Sequence, residues 1–335
     1  MATGHTTFSK AAFVCAFLLL LLAGVLVGAA LLGSQRLPVA SSLCALAGFS
    51  NCGQSPEQHA ILFDLRMPRI LLAAAVGTCL ATAGAGYQAL LRNPLAEPYL
   101  LGVSNGAAVG TMVALVFFGQ YEWSRPVMAF AGALAATFVV YRLARGRAGA
   151  TPERLILAGV IVTTFLSSGI VFITTLMDAT RIRSFTFWLL GDLSGTTASL
   201  LVVTFVAAGV GVAVIALNAR SLNLMMLGER DAFDLGVEVG RVRITVFIAA
   251  SLLVGASVAS SGSVGYVGLV VPHLVRLSFG SDNRIVIAGS AIAGAAFVIL
   301  ADTIARTIIA PRELPVGAIT ALIGAPLFVY LLRRR

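Results

Sequence analysis

MPRILLAAAVGTCLATAGAGYQALLRNPLAEP, from Met67 to Pro98, is the stretch on which the reading of this chain turns. From Met67 to Leu91 it carries a single charge, Arg69, among apolar and small residues. A bilayer-spanning helix needs about 20 mostly apolar residues, so this run is long enough to cross. Arg92-Asn93-Pro94 then interrupts it, and Pro98 follows four residues later. Two prolines so close together break a helix, and broken backbone cannot be left in hydrocarbon; it must face protein or a water-filled path. A plain reverse turn at the membrane edge is the simpler alternative.

Working outward, comparable apolar runs lie near 11–33, 95–119, 126–143, 154–176, 197–218, 242–262, 264–280, 284–304 and 315–332. The first is too long for the roughly 7–15-residue core of a cleaved signal and reads as a retained span. Two places are ambiguous: the pair 67–91 and 95–119, split only by Arg92-Asn93-Pro94, and the short run after Gly262. Counting every run predicts an all-α polytopic membrane protein of about ten transmembrane helices, forming one transmembrane domain over 1–335, with both termini on the same side. Composition agrees. Of 335 residues 59% are hydrophobic and 11% charged, against about 45–50% and about 25% in soluble domains.

The net charge of +9 does not point to nucleic acid, because the basic residues sit in short gaps between apolar runs rather than on one face. They orient the chain instead. With the N-terminus in the cytoplasm, 15 of the 23 basic residues fall inside: Lys10, Arg92, Arg142, Arg145, Arg147, Arg154, Arg220, Arg230, Arg241, Arg243, Arg276, Arg284, Arg333, Arg334 and Arg335. Outside remain Arg36, Arg66, Arg69, Arg125, Arg181, Arg183, Arg306 and Arg312. The positive-inside rule then predicts both termini in the cytoplasm.

Chemistry of the enzymatic kind is missing. No G-x-x-x-x-G-K-[ST] loop is present, so the chain cannot cradle ATP phosphates through a P-loop, and no H-E-x-x-H or G-x-S-x-G constellation stands out. Four cysteines and three histidines (His5, His59 and His273) show no metal-ligand spacing, so no metal or other bound cofactor is expected. Cys44 and Cys52 share a polar loop, where a disulfide is open to them if that loop faces an oxidising compartment. The 34 glycines cluster with Ala and Ser inside spans, as packing between helices in lipid requires. A weak internal echo relates the run after Arg66-Met-Pro-Arg69, ending at Asn93-Pro94, to the run after Arg241-Val-Arg243, ending at Ser260-Ser-Gly262; chance accounts for it about as well. The predicted topology enters the two from opposite sides.

Three polar stretches could carry function. The first is the break at Arg92–Pro98 with Gly102-Val-Ser-Asn105-Gly106 behind it. The second is Arg220–Arg243, where Leu224, Met225, Leu227, Ala232, Phe233, Leu235 and Val237 alternate with Glu229, Arg230, Asp231, Asp234 and Glu238. This amphipathic pattern suits one or two short surface helices, either docking a soluble partner or lying on headgroups. The third is Asp302 with Arg306, one helical turn apart near the outer end of a span. An ionisable residue there is a functional candidate, and mutual pairing of the two is the plainer reading.

In these stretches the sequence resembles the permease family of ABC importers for iron-siderophores, haem and cobalamin. The matching segments are Leu65-Arg-Met-Pro-Arg69, Gln88-Ala-Leu-Leu-Arg-Asn-Pro-Leu-Ala-Glu-Pro98, Leu101-Gly-Val-Ser-Asn-Gly106, Phe187-Trp-Leu-Leu-Gly191 and Leu227-Gly-Glu229. They continue with Gly265-Tyr-Val-Gly-Leu-Val-Val-Pro-His273, Ala301-Asp-Thr-Ile-Ala-Arg306, Glu313-Leu-Pro-Val-Gly317 and Gly324-Ala-Pro-Leu-Phe328. The match occupies residues 61–333; residues 1–60 match only as a helix and a loop.

The resemblance implies a type II importer permease in a bacterial inner membrane. It would be a homodimer embedded in lipid, with its path along the dimer axis. Two ATP-binding ABC subunits would sit on the cytoplasmic face and supply the ATP hydrolysis, and a periplasmic substrate-binding protein would deliver the cargo. Residues 219–240 would form the coupling helices, with Leu227, Gly228, Glu229, Asp231, Ala232, Leu235 and Gly236 meeting the ATPase. Asn93, Pro94 and Leu95 would belong to a cytoplasmic gate. Arg66, Arg69 and Arg306 would face outward and meet acids on the binding protein. The cargo would be a bulky metal chelate, with ferric siderophore first by family frequency, then cobalamin and haem. An ion-gradient transporter and an intramembrane enzyme are the competing classes. The first would need relay acids within the spans, where Asp302 is the main one, and the second a clustered catalytic set.

Overall fold

The computed structural model describes residues 8–35, 37–49, 52–146 and 149–333. His5, Arg36, Arg147, Arg334 and Arg335 of the reading above lie outside the described residues. The helices run, in order, α1 (Phe8–Leu31), α2 (Val39–Leu46), α3 (Pro56–Ala60), α4 (Met67–Leu90), α5 (Val103–Phe117), α6 (Ser124–Ala144), α7 (Pro152–Thr174) and α8 (Ala179–Leu189). They continue as α9 (Ala198–Leu217), α10 (Ala219–Met225), α11 (Glu229–Asp234), α12 (Val239–Ser261), α13 (Val267–Phe279), α14 (Asn283–Thr307) and α15 (Val316–Arg333). A wide π-turn over Ile61–Arg66 joins α3 to α4, and a 3₁₀ turn over Pro98–Leu101 precedes α5. Extended backbone among the described residues is limited to a clip pairing Arg145-Gly146 with Gly149-Ala150.

Seven helical stretches among the described residues are long and apolar enough to cross a membrane, and α5, α13 and the apolar part of α15 are shorter. All ten runs of the sequence are therefore helical, but not all are alike. The predicted spans 95–119 and 264–280 shrink to α5 and α13, of 15 and 13 residues, about 22 and about 20 Å at 1.5 Å per residue. Neither matches a hydrocarbon core of about 30 Å. Each is preceded by non-helical backbone, and the two irregular segments satisfy each other. The Tyr99 hydroxyl donates to the Val264 carbonyl and accepts from the Val264 N–H, both at 3.0 Å. The Tyr266 N–H donates to Glu97 Oε1 at 3.2 Å. Broken backbone is tolerated here because protein covers it.

α4 is the axis of the molecule. It is buried along almost its whole length, which suits a helix apolar on every face. Small residues let its neighbours close in: a Cβ on Gly77 would collide with the Gly294 carbonyl of α14, and one on Gly84 with Gly268 of α13. α4 and α12 pack together, each followed by a break and a short helix.

The sequence reading missed α8. Its 11 residues carry Arg181 and Arg183, so it is too short and too charged to register as a span, yet Phe185 is buried against Ala108 and Met112 of α5. An Asp178 cap accepting from the Arg181 N–H starts it.

Candidate coupling surface and charge clamp

Polar chemistry gathers at two opposite ends of the bundle. At one end, α10 and α11 form a hairpin joined by Leu227-Gly228. Gly236, with φ +84°, turns the chain from α11 toward α12, a left-handed conformation that suits glycine. Ala232 is buried and anchors α11, with Met225 and Leu222 of α10 below it. Leu227, Phe233 and Leu235 instead stand 68, 70 and 63% exposed, an apolar set at the surface. Asp231 and Glu229 occupy the first turn of α11, where a carboxylate complements the helix dipole.

Glu229 does more. It pairs with Arg92 at 3.5 Å and with Arg243 of α12, and the buried Arg243 also donates to the Ala150 carbonyl at 2.6 Å. Arg92 is the residue before Asn93-Pro94-Leu95. In that corner the Asn93 side-chain oxygen accepts from the Leu95 N–H at 2.9 Å, and Leu95 is exposed. The stretches expected to couple and to gate are therefore tied together through one carboxylate. Arg243 was legible in the sequence only as a charge opening a span; its pairing with Glu229 was not foreseen.

At the other end lie Arg66, Arg69, Asp302, Arg306 and Glu313. The expectation that Arg66, Arg69 and Arg306 face outward is not met. Arg66 is 5% exposed and Arg306 4%, and Arg69 is largely covered. The physical reason is that the chain supplies their partners. Arg69 Nη2 stands 2.9 Å from Asp302 Oδ1, and its Nη1 2.7 Å from Glu313 Oε2. Arg306 Nε lies 2.9 Å from Asp302 Oδ2, close enough for an ion pair although the angle is poor for a hydrogen bond. Arg66 donates to the Ala30 carbonyl at 3.0 Å and to Leu31 and Gln35, satisfying carbonyls that the end of α1 leaves open. The cluster clamps α1, α4, α14 and the loop before α15. The pairing of Asp302 with Arg306 read from their spacing is present.

In the loop between α1 and α3, Cys44 and Cys52 are joined as a disulfide. No group of three or more His, Cys, Asp or Glu that could hold a metal occurs among the described residues.

The profile of the FecCD transport family matches residues 16–334. The chain belongs to the FecCD transport family. This FecCD permease is 37% identical to the hemin transport system permease of Yersinia pestis over 324 residues, 95% of each chain. To the cobalamin import system permease of Halobacterium salinarum it is 40% identical over 302 residues, covering 90% of this chain and 81% of the relative. An uncharacterised ABC transporter permease of Bacillus subtilis is 42% identical over 294 residues, 86% and 83% of the two chains. A solved structure described as an inward-facing metal-chelate type ABC transporter superposes with a TM-score of 0.84 at 31% identity, covering 96% of this chain and 99% of that one. The FecCD chain is thus a helical membrane permease of the ABC transporter class, as its motifs implied.

Proposed function

We propose that this permease imports a bulky metal chelate across a bacterial inner membrane, powered by ATPase subunits seated on α10 and α11. The observation that carries the reading is the exposed Leu227, Phe233 and Leu235 on a hairpin braced by Glu229, Arg92 and Arg243. Apolar side chains on a rigid support are what a partner pocket takes as anchors. The excess of arginine at that end supports a cytoplasmic position for the hairpin and for both termini. Two copies of the chain would flank the path, with the Asn93–Leu95 corner at its cytoplasmic mouth.

A substrate-binding protein would deliver cargo at the opposite end. There its acids would have to exchange with Asp302 and Glu313 for Arg69 and Arg306, since those guanidiniums are already engaged. Hemin and cobalamin, the cargoes of the two named relatives, are supported by those names; ferric siderophore, the first choice on family frequency, is named by neither. Asp302, the acid an ion-gradient transporter would use, is held between two guanidiniums, which favours the ATP-driven class.

Changing Leu227 to Asp tests the docking surface. The exposed site tolerates the charge, so the permease should still insert and pair while copurification of the ATPase is lost. Undiminished copurification would remove the assignment.

A further inference from the structure

We infer that Asn223, Asp282 and Asn283 form the joint through which movement of the docking hairpin reaches α14. The inference rests on the proposal that α10 and α11 seat the ATPase. Asn223 lies in α10, half-buried. Its Oδ1 accepts from the Asn283 backbone N–H at 2.8 Å, and its Nδ2 donates to Asp282 Oδ1 at 2.7 Å. Asn283 is completely buried; its Nδ2 reaches the Met226 sulfur at 3.2 Å and its Oδ1 receives Arg276 of α13 at 3.4 Å. Asp282 also caps α14, accepting from the Arg284 N–H at 3.0 Å. Asn223 of α10 and Met226 just after that helix are thus fastened to Asp282 and Asn283 at the start of α14 by largely covered polar groups.

The cost of breaking these bonds falls most heavily at Asn283, which is completely buried and would be left with unsatisfied polar groups. The hairpin and the α13–α14 turn therefore move together. The other tie of the hairpin, Glu229 to Arg92 and Arg243, is a charge contact on a partly exposed carboxylate, and salt weakens it more readily. α14 then runs 25 residues, about 37 Å, and in its last turns Asp302 holds both Arg69 of α4 and Arg306 of its own helix. One continuous helix joins the coupling surface to the charge clamp at the far end. Asn223 is in this account a positioning residue: it touches neither ATPase nor cargo.

The test uses the whole transporter, reconstituted with its ATPase and binding protein, and reads cargo taken up per ATP hydrolysed. N223A should keep ATPase copurification and ATP hydrolysis, while uptake per ATP falls about tenfold, within the span of ordinary site-to-site coupling. N223D sets a second carboxylate against Asp282 and should lose at least as much. D282N retains the accepting oxygen and the cap, and should couple like the wild type. Wild-type uptake per ATP in both Asn223 variants would overturn the joint. Loss of ATPase copurification in N223A would overturn it too, by making Asn223 part of the docking surface. Failure of the docking reading itself would show separately, as ATPase retained by L227D.

Discussion

Asp302 is 1% exposed and holds Arg69 from α4 and Arg306 from its own helix. Removing its carboxylate strands the buried Arg306 and leaves Arg69 with Glu313 alone, and breaking a buried pair in this way costs about 3–5 kcal/mol. Asp302→Ala should therefore melt well below the wild type in a thermal-shift assay of the purified permease; equal melting would show that the clamp carries no stability. Half of this cluster could be read from the chain, because Asp302 and Arg306 are one turn apart. The other half could not. Arg69 meets Asp302 across 233 residues of sequence and Glu313 across 244, and no local pattern links them. Arg66 misled for a related reason. An arginine at a helix start on the arginine-poor side looks outward-facing, and only the fold reveals the end of α1 lying beside it.

Among elements, the decisive feature is the pairing of the two irregular segments before α5 and α13. The breaks themselves were visible in Pro94, Pro98 and Gly262. Their mutual contact was not, since the Tyr99–Val264 bonds span 165 positions. Tyr99→Phe deletes the hydroxyl that serves both polar groups of Val264, whose residue is buried. An unsatisfied buried backbone group costs about 1–3 kcal/mol. The variant should lose thermal stability by that order, read as a lower melting temperature of the purified permease. A melting point unchanged from the wild type would mean that water or another group already serves Val264. The seven long helices were legible because period and length suffice for them; α8 was not, because burial of Phe185 against α5 is a tertiary fact.

For the whole molecule, polar clusters at opposite ends of a lipid-facing bundle fit a machine driven from one side and loaded from the other. Composition, the ordered motifs and membership of the FecCD family all place the chain among ABC permeases, and α14 offers a mechanical route between its ends. Cargo was the least legible property, because the recognisable motifs concern architecture and coupling and not the walls of the path. The central claim is that transport is driven by ATP through the α10–α11 surface. Its most direct test is uptake into proteoliposomes containing the permease, its ATPase and its binding protein, offered haem, cobalamin and a ferric siderophore in turn. One of these chelates should accumulate only when ATP and the binding protein are both supplied, and L227D should abolish the accumulation. Uptake by the permease alone, driven by an ion gradient without ATP, would contradict it.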